Sequence, residues 1–198
     1  MDKIVCLVGK SGAGKTTVAN SLRLKGYNCI DSYTTRSPRY ENESGHIFVT
    51  LEEYEFKVRS GYLIENMVAY TYFDNNHYWC EKHQYEGKGI TIYVVDKAEV
   101  EELKTRATDV EIVVIYLDAS HTVRYNRMLY RDKVFLTEED KLNFENTKDF
   151  YKAKEKAMSR IGHDESGAYA GVTYDYLVNA NEPLDIVVSE VDKLIRDV

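Results

Sequence analysis

Short apolar runs alternate with polar segments along most of the chain. The first run, Ile4 to Val8, leads into a glycine-rich stretch and then into apolar residues at helical spacing. Two more runs rich in β-branched residues span Ile90 to Val95 and Ile112 to Leu117. Each is followed by a polar segment of helical periodicity, 97–105 and 121–131 respectively. Buried strands that alternate with helices predict an α/β fold with a parallel sheet covered on both faces.

The same pattern returns near the end of the chain. A short apolar run at 174–178 predicts another strand, and the spacing of apolar residues from Leu184 to Ile195 predicts a closing amphipathic helix. We therefore assign residues 1–32, 87–126 and 152–198 to one core of a single domain.

Two stretches interrupt the alternation. Residues 33–86 are rich in Tyr, Glu, Asn and Thr, with short strand candidates at 48–49 and 62–64, and we interpret them as an inserted subdomain. Residues 127–151 are charged and weakly periodic, which is typical of a small lid. The glycine-rich stretch 162–171 is expected to be a loop without an assignable role.

Composition and charge narrow the function classes. The 198 residues are 43% hydrophobic and 30% charged, as in a packed globular domain. The net charge of −7 gives no overall reason to bind nucleic acid or an anionic membrane, so neither partner is expected. Three cysteines without a C-x-x-C pair argue against a disulfide framework, and no run has the length of a signal peptide or membrane span. A cytoplasmic protein is predicted; its oligomeric state is not.

Residues 9–16 match the pattern G-x-x-x-x-G-K-[ST] between the first strand and the first helix. Glycines allow backbone N–H groups to converge on a phosphate at a helix N-terminus, a lysine can reach the β- and γ-phosphates, and a hydroxyl can bind Mg²⁺. The motif predicts a nucleotide or phosphate site with Lys15 on the phosphates and Thr16 on the metal. The candidate ATP-binding residues of this loop are Gly9, Ser11, Gly12, Ala13, Gly14, Lys15, Thr16 and Thr17.

Other positions help to choose among nucleotide-binding classes. The chain has no N-K-x-D motif, and its only D-x-x-G, Asp164 to Gly167, comes too late to be a GTPase switch. Asp96 follows the strand at 90–95, at the sheet edge where ligands of such folds bind. The alternative, which we weigh less, is that Asp96 is a simple strand-ending surface charge.

A second phosphate-binding candidate is the stretch Ser32 to Arg39. Arg36 and Arg39 lie three positions apart around Pro38, and two guanidinium groups on a stiff loop suit one phosphate held from two sides. Such a pair is commonly only a solvated surface feature, but it stands about twenty residues after a phosphate loop.

Together these motifs resemble those of guanylate kinase, a nucleoside monophosphate kinase of the P-loop class. The resemblance is close to about residue 100 and thinner afterwards. It rests on G-K-S-G-A-G-K-T-T at 9–17, S-Y-T-T-R-S-P-R at 32–39, G-H-I-F-V at 45–49, E-E-Y-E-F and G-Y-L-I-E within 52–65, V-V-D at 94–96, R-M-L-Y-R at 127–131 and Y-D-Y-L-V-N at 174–179. It implies a three-layer α/β/α fold with a monophosphate-binding insert and a lid.

The resemblance also implies roles for individual residues. Arg36 and Arg39 would grip the phosphate of the monophosphate with Tyr78, and Arg127 and Arg131 would be lid arginines that stabilise the transferring phosphoryl group. The remaining implied contacts are Ser32, Glu65, Cys80 and Asp96 around the base and Asn179 near the adenine of ATP.

Three positions depart from the family pattern. His46 stands in a segment where the family has a tyrosine, and Cys80 stands where a hydroxyl is usual. No arginine occurs between Arg131 and Arg160, so the second lid arginine is missing and Lys141 or Lys148 would have to substitute.

We expect ATP-dependent phosphoryl transfer, with Mg²⁺, to a nucleoside monophosphate, with GMP or dGMP favoured. One alternative is a P-loop kinase for another (deoxy)nucleotide or a phosphorylated small molecule. The other is a catalytically silent guanylate-kinase-like binding module, against which the intact phosphate loop argues. A zinc site at His77, Cys80 and His83 lacks a fourth ligand and is set aside.

Overall fold

The computed structural model describes residues 2–38, 41, 43–131, 133 and 135–198. The strands are β1 (Lys3–Val8), β2 (Asn28–Ile30), β3 (Ser32–Thr34), β4 (His46–Phe48), β5 (Met67–Phe73), β6 (Asn76–Glu81), β7 (Ile90–Val94), β8 (Glu111–Asp118) and β9 (Tyr176–Asn179). The helices are α1 (Lys15–Leu24), α2 (Leu51–Arg59), α3 (Tyr62–Asn66), α4 (Lys97–Arg106), α5 (His121–Leu129), α6 (Glu138–Glu145), α7 (Lys148–His163) and α8 (Leu184–Asp197). A 3-10 turn follows β6, and a wide helical turn, Asp164–Ala168, continues α7.

The central sheet has five parallel strands in the order β2-β7-β1-β8-β9. Strand β1 lies in the middle, and its side chains alternate between two cores. Val5 and Leu7 pack with residues of α1 and α8, whereas Ile4 and Cys6 pack on the other face with residues of α4. The predicted three-layer α/β/α fold is confirmed.

A second, four-stranded sheet, β4-β3-β6-β5, is built from residues 32–81. Its hairpin β5–β6 turns through Asp74 and Asn75, both at positive φ. This sheet joins the core because Val68, Ala69 and Cys80 are buried in the same cluster as β1 and α4. The second sheet therefore packs on the side of the core that β1 shares with α4.

One predicted strand is wrong. Residues 62–64 form part of the short helix α3, which follows Gly61 in the left-handed conformation. Only Leu63 of this helix is buried, so Leu63 alone of the three apolar residues 62–64 anchors α3 to the core. The strand begins three residues later, at Met67.

The segment predicted as a lid includes helix α6. Its predicted boundaries, 127 and 151, fall inside α5 and α7, and the division into core, insert and lid stays a prediction. An aromatic cluster holds α6 to its neighbours: Tyr130, Phe135, Phe144 and Phe150 lie with ring centroids 5.6 to 6.5 Å apart. No helix within the described ranges is both long and apolar enough to cross a bilayer.

Candidate functional site

The phosphate loop joins β1 to α1. Strand β1 ends at Val8, and α1 begins at Lys15 directly after Gly14, whose φ of 99° favours glycine. Lys15 Nζ donates to the backbone carbonyl of Gly9 at 2.5 Å and so closes the loop on itself. Thr16 is exposed in the first turn, where the helix dipole and unpaired N–H groups favour an anion.

Lys15 is the electrostatic centre of this region. Burial lowers the pKa of its ammonium group to about 8, while the carboxylates of Asp164 and Asp96 act in the opposite direction. Arg160 and Arg131 lie close enough to lower the pKa further. An anionic ligand would relieve this repulsion between cations.

A cavity of about 1070 Å³ opens in front of the loop. It is lined by the loop and α1, the end of α5, one side of α7, and the two stretches 29–32 and 43–46. Its basic lining residues, Lys15, Arg23, Arg127, Arg131, Lys133, Lys156 and Arg160, outnumber its acidic ones, Asp31, Glu43 and Asp149. The polar residues contributed by 32–46 are Ser32, Glu43, Ser44 and His46. The cavity is thus a cationic space that reaches from the phosphate loop to the insert.

The predicted lid arginines take different positions. Arg127 Nη1 donates to the carbonyl of Ala13 at 3.2 Å, and burial lowers the pKa of this guanidinium. Arg131 is exposed in the turn after α5 and lines the cavity.

Sequence reasoning missed the two cations that α7 adds to this cavity. Lys156 and Arg160 are four positions apart on α7 and both line the cavity. Their spacing on an amphipathic helix was the available signal. Arg160 therefore supplies a further arginine to the cavity, although it lies far from Arg131 in the sequence.

On the insert side, Arg36 forms a two-point ion pair with Glu43, with N–O distances of 2.8 and 3.1 Å. The side chains of Arg36 and Glu43 are 13% and 5% exposed, and the guanidinium also lies over the ring of Phe48. The Tyr78 hydroxyl lies near the same guanidinium. Arg39, the second arginine of the predicted pair, lies outside the described residues.

His46 lies next to these groups. Its Nδ1 is 2.9 Å from the Ser32 hydroxyl, and its ring meets the ring of Tyr78 edge-on with 5.8 Å between centroids. Ser32 and His46 both line the cavity. The insert thus offers a hydroxyl and an imidazole to a ligand.

Sequence comparison assigns the chain to a family. The family model for an AAA domain (AAA_18) matches residues 5–149, which include the phosphate loop, the insert and most of the lid segment. The chain belongs to this AAA domain family. No curated protein matches the sequence of this AAA domain.

The AAA domain is also similar to solved structures. One is guanylate kinase from Anaplasma phagocytophilum, which is 18% identical and has a TM-score of 0.60 over 98% of this chain and 85% of that chain. At this identity the similarity shows a shared fold. The resemblance in the motifs and the similarity in fold therefore point to the same P-loop kinase architecture.

Two residues implied around the base do not line the cavity of this AAA domain. Glu65 is exposed on α3. Cys80 is fully buried in the core, and burial raises the pKa of its thiol. Cys80 is therefore enclosed in the core and does not reach the cavity.

Asp96 and Asn179 also lie outside the cavity lining. The Asp96 carboxylate caps α4 by accepting the N–H of Glu99 at 2.9 Å. Burial and the nearby Asp96 raise the pKa of Glu99 to about 8. Asn179 Oδ1 accepts the N–H of Asn181 at 3.1 Å, which shapes the loop after β9. Both side chains are engaged in local structure.

Proposed function

We propose that this AAA domain transfers the γ-phosphoryl group of ATP to a nucleoside monophosphate, GMP or dGMP being the favoured acceptor. The observation that supports it most is the cationic cavity that the phosphate loop and residues of the insert both line. Two phosphate-bearing ligands could meet there with positive charge between them. Catalysis would consist of positioning and charge neutralisation.

The donor, ATP, would lie on the phosphate loop. Backbone N–H groups of Gly12 and of residues 14–17 would bind its phosphates, Gly9 would allow the loop to turn, and Lys15 would contact the β- and γ-phosphates. Thr16 presents an exposed hydroxyl beside the cavity, and an oxygen ligand of this kind suits Mg²⁺. The bound ion would add positive charge next to the phosphates of ATP.

The acceptor would lie on the insert. Arg36 would exchange Glu43 for the acceptor phosphate and keep its two-point geometry, with Tyr78 donating beside it. Arg39 is proposed as a further partner from the sequence alone. Ser32 and His46 would contact the remainder of the acceptor.

In the transfer step an oxygen of the acceptor phosphate attacks the γ-phosphorus. The bond from that phosphorus to the bridging oxygen breaks, and ADP leaves. Arg127, Arg131 and Arg160 would neutralise the charge on the transferring group.

Acceptor choice is the finer part of the proposal. A guanine would be read by carboxylates, and the candidates are Glu65 and Asp96. Both lie outside the cavity lining. This placement supports a second candidate acceptor, another (deoxy)nucleotide or a phosphorylated small molecule that Ser32 and His46 contact.

The test is a coupled ADP-release assay with Mg·ATP and GMP, dGMP, AMP, CMP, UMP or dTMP. Lys15→Met should lower turnover by about 10²- to 10³-fold, because it removes one positive charge that stabilises the transition state. Lys152→Met is the matched control, since Lys152 is a 78% exposed lysine of α7 and should leave turnover unchanged. Arg36→Ala should raise the KM for the acceptor, whereas the exposed Arg59→Ala should not.

The outcomes separate the candidates. Turnover with GMP or dGMP alone supports the guanylate kinase activity. Turnover only with another monophosphate supports a different acceptor. ATP binding without turnover across the panel would overturn the proposal for nucleoside monophosphates and favour a binding module.

A further inference from the structure

The wide turn after α7 contains a buried carboxylate for which neither the sequence motifs nor the transfer step accounts. Asp164 is 4% exposed. Its Oδ2 accepts the backbone N–H of Ser11 at 2.8 Å, and its Oδ1 lies 3.3 Å from the Ser11 hydroxyl. Asp164 therefore holds one residue of the phosphate loop through two donors.

Arg124 of α5 completes this arrangement. It is 2% exposed, and its Nη1 lies 3.1 Å from Asp164 Oδ2 and 3.4 Å from the carbonyl oxygen of Ser11. The N–H and the C=O of Ser11 are thus both engaged by one buried ion pair. Burial of such a pair is costly unless its hydrogen bonds are satisfied, and Ser11 contributes to satisfying them.

The backbone of the same helix also abuts the next loop residue. A Cβ at Gly12 would lie 2.6 Å from the carbonyl oxygen of Arg124. The loop is therefore fixed at Ser11 and Gly12 by α5 and the wide turn, and all residues from Ser11 to Thr17 line the cavity. Restraint at the start of the loop sets the direction of the N–H groups that follow it.

We propose that Asp164 is a positioning residue that orients the phosphate loop for the triphosphate of ATP. The inference rests on the proposed function, which supplies ATP as the ligand. Its physical basis is preorganisation: donors that are already aimed at a phosphate need no reordering when it binds. Asp164 acts through the Ser11 backbone and the Arg124 guanidinium.

The experiment measures ATP affinity by calorimetry and stability by thermal unfolding in the full chain. Asp164→Asn should weaken ATP binding at least tenfold. Asp192→Asn is the matched control, because Asp192 is a 6% exposed carboxylate of α8 paired with Lys25 and Tyr27. It should lose comparable stability and keep ATP affinity within twofold of wild type.

A double variant separates positioning from folding. Asp164→Leu with Arg124→Met replaces the buried pair by apolar groups, which is often tolerated in stability. It leaves the Ser11 N–H without its acceptor, so ATP affinity should stay at least tenfold below wild type even where the unfolding temperature is recovered. Wild-type affinity in this folded double variant, or in folded Asp164→Asn, would overturn the positioning role. A wild-type protein that binds ATP without phosphorylating any acceptor would instead refute the proposed function and leave this test valid.

Discussion

The phosphate loop offers a sharp test of how closely it is packed. We expect Gly12→Ala to be much more damaging than Gly26→Ala. Both glycines have positive φ, +81° and +98°, so both alanines meet the same backbone strain. This strain costs about 1 to 2 kcal/mol per residue.

The two sites differ in their surroundings. At Gly12 the added methyl group would lie 2.6 Å and 3.0 Å from the carbonyl oxygen and Cα of Arg124, whereas nothing lies within 4 Å of it at Gly26. Backbone atoms of a packed helix cannot rotate away, and overpacking of this kind costs about 1 to 3 kcal/mol. We therefore expect a loss of about 2 to 5 kcal/mol for Gly12→Ala and about 1 to 2 kcal/mol for Gly26→Ala.

Urea unfolding followed by circular dichroism measures both losses. Calorimetry with ATP should show that Gly12→Ala also weakens binding, because the loop must shift, while Gly26→Ala binds as wild type. Equal destabilisation of the two variants would refute the close contact between the loop and α5.

Three further predictions concern buried charges. Burial raises the pKa of Glu99 to about 8, so between pH 4.5 and 8 the folded state keeps a proton that the unfolded state has lost. Stability should therefore fall as pH rises through this window, and the urea midpoints of Glu99→Gln should lack this fall. Because burial lowers the pKa of Lys15 to about 8, the Lys15 side chain is largely neutral near pH 9, and binding of the anionic ATP should give it a proton. Binding heats measured by calorimetry should therefore depend on the ionisation enthalpy of the buffer in wild type but not in Lys15→Met. Equal heats for wild type in all buffers would contradict this. Lys57→Met should cost about 2 to 4 kcal/mol in urea unfolding, since it leaves the fully buried Glu81 without its ammonium partner. Arg59→Met is the control, because the Arg59 side chain is 67% exposed, and it should cost under about 1 kcal/mol. Similar losses in Lys57→Met and Arg59→Met would argue against a buried ion pair between Lys57 and Glu81.

The central sheet could be predicted because its long strands are apolar on both faces. Strands β1, β7 and β8 each appear as a continuous run, so their order along the chain and their helical connections follow from the pattern alone. Strand β2 was missed because it has three residues, of which only Ile30 is buried. Apolar pattern carries little information at that length.

The candidate site was predictable only where its residues are close in sequence. The phosphate loop is a local motif, and so is the stretch that contains Arg36. Asp164 reaches Ser11 across 153 positions, and its D-x-x-G context, which comes too late in the chain for a GTPase switch, gave no sign of this contact. Cys80 shows the opposite case: a motif position implied contact with a ligand, but packing against β1 turned the thiol into the core.

The attachment of Ser11 to Asp164 also has a consequence for folding. Bringing residues 153 positions apart together costs about 4 to 5 kcal/mol of chain entropy, which must be recovered from the contacts that form with it. Parallel pairing of β1 with β7 has a similar requirement, since Lys3 is opposite Ile90. Any state in which the turn after α7 is undocked would therefore contain the complete glycine motif, but its Ser11 would lack the restraint that Asp164 provides.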